Sequence, residues 1–434
     1  MRKEAEGQHT QFGESGNRFP LKEGLRTMRT IRWGALVAVA TACALVVASQ
    51  VSARTDGSNV DPIKIGISLP ITGNFSEPGT AAMRGYQIWA QMTNKSGGLL
   101  GRKVTLDIKD DQSDQNTIVN DYNGLINNDK VDLLLGTFSS LLNLPASAVA
   151  EKFHMVYVEP AGGSPKMFNR GFQYLFFAQQ ATAPHQGDLF SKWVKGLGGK
   201  IHSAAYPEQD DPFAAPVAEG IRAKLEAAGI KTAYKTTYAP DATDFDTIAS
   251  AIKSSGADIV VQGAVFDDGV GLIRSMKKIG YNPKALFQTS APSEAATFSK
   301  AIGLANTQGI FYAVSWSPKA KGARYPLNQA FLKAYRAKYG KTSIPAEDTA
   351  DAFAAAQVLA TAVKKVGKLD QDTIKDWLHA NKVQTVLGPL SWDSTGAPRQ
   401  AFLLAQWQNG TSQIVAPKFV ATTKKIVFPK PNWK

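Results

Sequence analysis

The chain has 434 residues, 44% apolar and 20% charged, with a formal net charge of +13. That composition excludes a disordered or collagen-like chain and a disulfide-stapled miniprotein, and the length suits two or three domains of roughly 150 residues each. A basic balance can signal nucleic acid or an anionic surface, but the lysines and arginines are scattered along predicted helices, with no basic tract and no aromatic-basic interleaving, so they read as a solvated surface and no nucleic-acid partner is expected.

Residues 1–27 are polar and patternless. Met28 to Arg32 forms a basic n-region, Trp33 to Val47 an Ala/Val-rich apolar h-region, and Val51-Ser52-Ala53 a small-x-small cleavage site. The apolar stretch falls short of the roughly 20 residues a membrane span needs. The expectation is an N-terminal extension followed by a secretory signal over 28–53, cut after Ala53. The single cysteine, Cys43, lies inside the h-region, and Ala44 to Val47 continue the apolar run past it, which argues against a lipid anchor there. Removal of seven basic and four acidic side chains with residues 1–53 would take the charge from +13 to +10. A mature chain without cysteine must be held by its cores alone, which its size permits.

From Ile63 onward, strand-like and helix-like patterns alternate. Ile63 to Leu69 reads as a buried strand, Gly79 to Asn94 as a helix, Lys103 to Lys109 as a strand and Asp114 to Asn128 as a helix. Val131 to Leu135, Leu144 to Phe153 and Met155 to Val158 continue as strand, helix and strand. After the strand Phe172 to Ala178 and the polar bend Gln179 to Pro184, the same alternation restarts and runs to the strand Ile310 to Val314. Strands alternating with helices imply βαβ units and parallel sheets. The fold class is therefore α/β, with two doubly wound parallel-sheet lobes joined by several crossings. The expected division is 61–180 with 311–386 for the first lobe and 181–310 with 387–434 for the second. In the tail, Pro389 to Trp392 and Ala401 to Gln408 look like antiparallel strands joined by Asp393 to Ala397.

Segment 136–165 carries most of the functional signal. Two neighbouring strands end at Gly136 and at Glu159-Pro160 and deliver two loops, Ser139-Ser140 and Ala161-Gly162-Gly163-Ser164, to one sheet edge. Ligands of open α/β sheets sit beyond the strand C-termini, and hydroxyls with bare backbone N–H groups suit a carboxylate. Neither loop holds a nucleophile with its base or a metal-ligand cluster. Each candidate also has a structural reading. One of Ser139 and Ser140 can serve as a helix N-cap. In the second lobe, Asp268 can pair with a ligand ammonium or can, with Asp267, favour a helix N-terminus. Asp210-Asp211-Pro212 is explained by capping chemistry, whereas Phe213, an apolar ring at a strand-to-helix turn, is not.

Ile65 to Gly73, Gly97 to Arg102, segment 136–165, Asp211-Pro212-Phe213 and Val386 to Asp393 together resemble the leucine/isoleucine/valine-binding family, the type I periplasmic solute-binding proteins of ABC transporters. The resemblance spans residues 61 to 415. It implies a ligand carboxylate held by Ser140, a second loop contributing at Ala161 and Gly163, an aromatic cover at Phe213, and an acid for the ammonium at Asp268. Three positions depart from the family pattern: Gly163 lacks a hydroxyl, with Ser164 adjacent; Asp268 is a methylene shorter than the usual Glu; and Pro78 stands where an aromatic is common, with Phe75 nearby to replace it. The implied function is a monomeric, non-catalytic binding protein without cofactor or metal. It would take a small carboxylate-bearing solute, a branched-chain or other neutral amino acid foremost, and hand it to an ABC permease and ATPase. A receptor-type sensor on the same fold, or a binder of aromatic acids or small amides, is the alternative.

Overall fold

The computed structural model describes residues 61–434 except Lys321 and Ala323. The expected extension and signal peptide, and Cys43, lie outside the described residues.

Two sheets organise the chain. The first has the order β2-β1-β3-β4-β5 and is parallel throughout, built from β1 (Ile63–Leu69), β2 (Val104–Asp110), β3 (Leu133–Leu135), β4 (Tyr157–Glu159) and β5 (Leu175–Phe177). The second contains β6 (Ser203–Gln209), β7 (Lys231–Tyr238), β8 (Ile259–Gln262), β9 (Ala285–Gln288) and β10 (Ile310–Val314). A two-stranded ribbon, β11 (Val383–Thr385) with β12 (Gly388–Leu390), follows; β13 (Leu403–Gln408) and β14 (Thr411–Ala416) then complete the second sheet as β14-β13-β10-β9-β8-β6-β7. Helices cover both faces of each sheet, so interior strands are apolar without alternation: β3 is Leu-Leu-Leu and β8 begins Ile-Val-Val, all buried.

The helix Ser76–Lys95 packs on the Ala-rich helix Glu347–Val366 over one face of the first sheet. A Cβ on Gly85 would lie 2.2 Å from the Thr349 carbonyl oxygen, so only glycine allows these helices to approach so closely.

Two boundaries differ from the sequence expectation. β10, expected to open the return to the first lobe, pairs with β9 in parallel and with β13 in antiparallel fashion, so the chain recrosses after Val314. Residues 387–392 were expected in the second lobe, but Leu387, Leu390 and Trp392 pack into the core of the first, so the last crossing falls between β12 and β13. The tail strands also do not form one hairpin: β12 pairs with β11, and β13 pairs with β14. Alternation shows that a strand exists but not which neighbour it takes. Three crossings result, and they are tied together. The Gln180 side chain donates to the Ser315 carbonyl at 2.6 Å, and the Gln400 N–H donates to the Gln180 carbonyl at 2.8 Å.

Candidate functional site

The loops after β3 and β4 meet the second lobe around a cavity of about 110 Å³. It has room for a small molecule and is lined from the first lobe by Phe75, Ser139, Ser140, Ala161 and Gly163, and from the second by Phe213.

Ser139 settles which serine caps the helix. Its Oγ accepts the Leu141 N–H at 3.0 Å, and its φ of +73° is a conformation L-residues avoid. The helix therefore starts at Ser140, four residues before the predicted Leu144. Asn143 holds this turn: its amide donates to the carbonyls of Thr137 and Ser139 at 2.9 and 3.0 Å, and its oxygen accepts the Tyr157 hydroxyl at 2.8 Å. Sequence reading passed over Asn143, whose signal was a polar residue on the buried face of a helix. Ser140, now in the first helical turn and 1% exposed, accepts the Ser164 N–H on Oγ at 3.0 Å, which binds the two loops to each other.

Ala161 reaches the cavity because its N–H is held by the Glu159 carboxylate at 2.7 Å. Burial, opposed by the N–H groups of Ala161 and Gly162, pushes Glu159 well above the usual carboxylate range. Gly163 has a steric reason to lack a hydroxyl. A Cβ there would lie 3.2 Å from the Ala183 nitrogen, 3.4 Å from the Phe177 ring and 3.6 Å from the Phe213 ring, while its carbonyl accepts the Ala183 N–H at 2.7 Å. The tight contact is with the Ala183 nitrogen; the Phe177 and Phe213 rings lie at ordinary contact distance and leave little room beyond a Cβ. The turn at Phe213 is fixed by Asp211, whose Oδ1 accepts the N–H groups of Phe213 and Ala214, each at 2.8 Å. Phe75 lines the wall and tilts against Phe138 at a centroid distance of 5.6 Å.

Two candidates are not brought to the cavity. Ser164 is fully buried and caps the short helix Pro165–Phe168, its Oγ accepting the Lys166 N–H. Asp268 is turned into the second lobe: its Oδ2 accepts the Tyr238 hydroxyl at 2.7 Å and its Oδ1 the Val265 N–H at 2.9 Å. Burial raises it to about 6 against those hydrogen bonds. The structural reading of Asp268 is the one the geometry supports.

The acids that do line the cavity are Asp211, Glu294, Glu347, Asp348 and Asp351, and the last four were not anticipated. Glu294 follows β9 in the second lobe, and the other three share the first turns of helix Glu347–Val366. Asp351 accepts the Ser315 hydroxyl and the Gln179 amide, the latter at 2.7 Å, and Glu347 accepts the Ser315 N–H. Burial pushes Glu347 and Asp348 up to about 7; burial and the neighbouring Glu77 push Glu294 up to about 8. Burial, with Glu347 and Asp348 beside it, holds Asp351 well above the usual range. Three acids within five residues of an otherwise alanine-rich, buried helix were a signal in the sequence, though helix-start chemistry accounts for them equally well.

Residues 62–412 match the periplasmic binding protein family. The chain belongs to that family. The expected resemblance to its leucine/isoleucine/valine-binding branch also holds among individual relatives. A Leu/Ile/Val-binding protein homolog of Brucella suis is 26% identical over 403 residues, covering 90% of this chain and 98% of its own length. In fold, the chain is similar to the branched-chain amino acid substrate-binding protein LivJ of Streptococcus pneumoniae, solved with isoleucine (TM-score 0.70, 21% identity, 82% of this chain and 100% of that one). It is equally similar to a solute-binding protein of R. palustris solved with benzoate (TM-score 0.70, 20% identity, 85% and 99%). The two-lobed α/β architecture is that of type I periplasmic binding proteins. Among the described residues, no helix is long and apolar enough to cross a membrane.

Proposed function

We propose that this periplasmic binding protein is the solute-capturing component of an ABC import system, exported by the segment 28–53. It would close its lobes on a small amino-acid-like solute and present it to a permease driven by an ATPase. One observation carries the reading: the cavity joins Ser139, Ser140, Ala161 and Gly163 of one lobe to Phe213 of the other. A solute there touches both lobes at once and so binds the closed form more tightly than the open one, which is the condition for ligand-driven closure.

Ser140 would serve the solute's carboxylate. Its Oγ already accepts from Ser164, which leaves the O–H as a donor toward the cavity. The solute's amino group would meet the wall acids instead of Asp268. The isoleucine and benzoate held by structural neighbours each carry the carboxylate this scheme requires. The protein holds its solute without converting it. A thermal-shift panel of amino acids, aromatic acids and small amides tests the proposal, since a ligand at 100 times its Kd stabilises by about 2.7 kcal/mol. Mass spectrometry of the recovered ligand should show it unchanged; a chemically altered product would overturn the non-catalytic reading.

A further inference from the structure

The cavity wall has the opposite charge to the chain. The sequence carries a net +13, yet the ionisable side chains lining the cavity are five carboxylates, with no Lys, Arg or His among the described lining residues. Three of the five are occupied by the protein itself. Asp211 caps the helix Ala214–Glu226, Asp351 accepts from Ser315 and Gln179, and Glu347 accepts the Ser315 N–H. Glu294 and Asp348 have weaker ties: the Glu294 carboxyl is hydrogen-bonded to the Glu77 carboxyl, and Asp348 accepts its own backbone N–H. Glu294 faces Glu77, Asp348 and Asp267, and Asp348 faces Glu77 in turn.

These acids come from both sides of the cleft. Glu77 and Asp348 stand on the paired helices of the first lobe, and Glu294 stands six residues past β9 in the second, just before the helix Ala295–Ile302. The lobes also touch here, where the Thr297 hydroxyl donates to Glu77 at 3.2 Å. Like charges facing each other across a cleft oppose closure unless a proton or a cation lies between them. A neutral amino acid is a poor match for this wall. Its one ammonium answers one acid, and its carboxylate adds another negative charge. The remaining wall is aromatic, with Phe75, Phe138 and Phe213, and suits methylenes and the face-on approach of a cation.

We propose that the solute is cationic. Besides a carboxylate at the Ser140 edge, it carries a protonated amino or guanidino group seated between Glu294 of the second lobe and Asp348 of the first, with Glu77, bonded to Glu294, beside them. This rests on the reading of the cleft as the solute site and adds the solute's charge class. The seated cation converts an acid-to-acid contact between lobes into two acid-to-cation contacts, so it favours the closed form as well as binding to it.

Titration calorimetry with L-lysine and L-ornithine, each compared with L-norleucine, tests the proposal on the mature chain. Norleucine retains the α-amino acid and an apolar side chain but lacks the distal charge. The expected result is tighter binding of the diamino acids, by about tenfold or more for a buried charge pair. Glu294→Gln and Asp348→Asn should each weaken the diamino acids by a larger factor than norleucine. Both substitutions keep shape and remove repulsion, so thermal melts of the unliganded variants should match or exceed that of the parent. If norleucine or leucine binds at least as tightly as lysine and ornithine, or if the variants weaken all of them equally, the cation seat is overturned while the solute-binding reading stands. If none of these solutes, nor benzoate or a small amide, binds the folded protein, the solute-binding reading falls and the seat with it.

Discussion

Ser140 Oγ accepts the Ser164 backbone N–H at 3.0 Å, a bond that joins the loop after β3 to the loop after β4 across 24 residues of sequence. The serine that faces the cavity is therefore also a structural member of its wall. Donating its proton to a solute and accepting from Ser164 are compatible, because a hydroxyl can do both.

Ser140→Ala should consequently cost stability as well as affinity. The Ser164 N–H would be left buried and without its partner, a loss of about 1–3 kcal/mol. Urea denaturation of the unliganded protein would show this, and calorimetry would show the weaker binding. Unchanged stability would mean that the loops do not depend on this bond.

Gly163→Thr would restore the hydroxyl common in the family, but it should harm this protein. The added Cβ meets the Ala183 nitrogen at 3.2 Å and the Phe213 ring at 3.6 Å before the rest of the side chain is placed. Overpacking of this kind costs about 1–3 kcal/mol. Solute affinity should fall with it, because Gly163 and Phe213 both line the cavity. Pairing Gly163→Thr with Phe213→Ala should recover part of the stability, and a melt of the double variant checks the coupling.

Asp268→Asn should act on the second lobe and not on solute choice. It weakens the bonds to the buried Tyr238 hydroxyl and the half-buried Val265 N–H, at a cost of about 1–3 kcal/mol. Charged and uncharged solutes should lose affinity by the same factor. A selective loss for ammonium-bearing solutes, measured by calorimetry, would return Asp268 to the site.

The unliganded protein should lose stability as pH rises from about 4 to about 8. Glu294, Glu347 and Asp348 have folded values of about 8, 7 and 7, above the usual carboxyl range near 4 in the unfolded chain. Within that window the folded state binds more protons than the unfolded one, so the slope of stability with pH is negative for these groups. Carboxylates held below their usual value, such as Asp110 and Asp258, act the other way and lose their contribution only in stronger acid. Calorimetric melting temperatures should therefore peak near pH 5. Binding of a cationic solute should strengthen between about pH 6 and 8 as the same acids ionise.

The alternation of β and α and the two loops of segment 136–165 were legible because periodicity and turn composition are local properties of the chain. The strand Ile63–Leu69 was predicted to the residue for the same reason. Strand partnership was not legible. β10 and the segment 387–392 were assigned to the wrong lobes, since a buried apolar strand carries no mark of which sheet it joins. Asp268 shows the same limit at the site: an acid at a helix start has one sequence signature whether it faces a cleft or a tyrosine behind it.

The sequence by itself determined the α/β class and the two small-residue loops of segment 136–165 at one sheet edge. Each follows from a short stretch whose conformation is set by its own residues. Only the tertiary structure decided the charge of the cavity. Glu77, Glu294 and Asp348 lie on elements separated by more of the chain than any local pattern spans. They become neighbours because the chain crosses between its lobes three times and brings helix starts of the first lobe against a loop of the second.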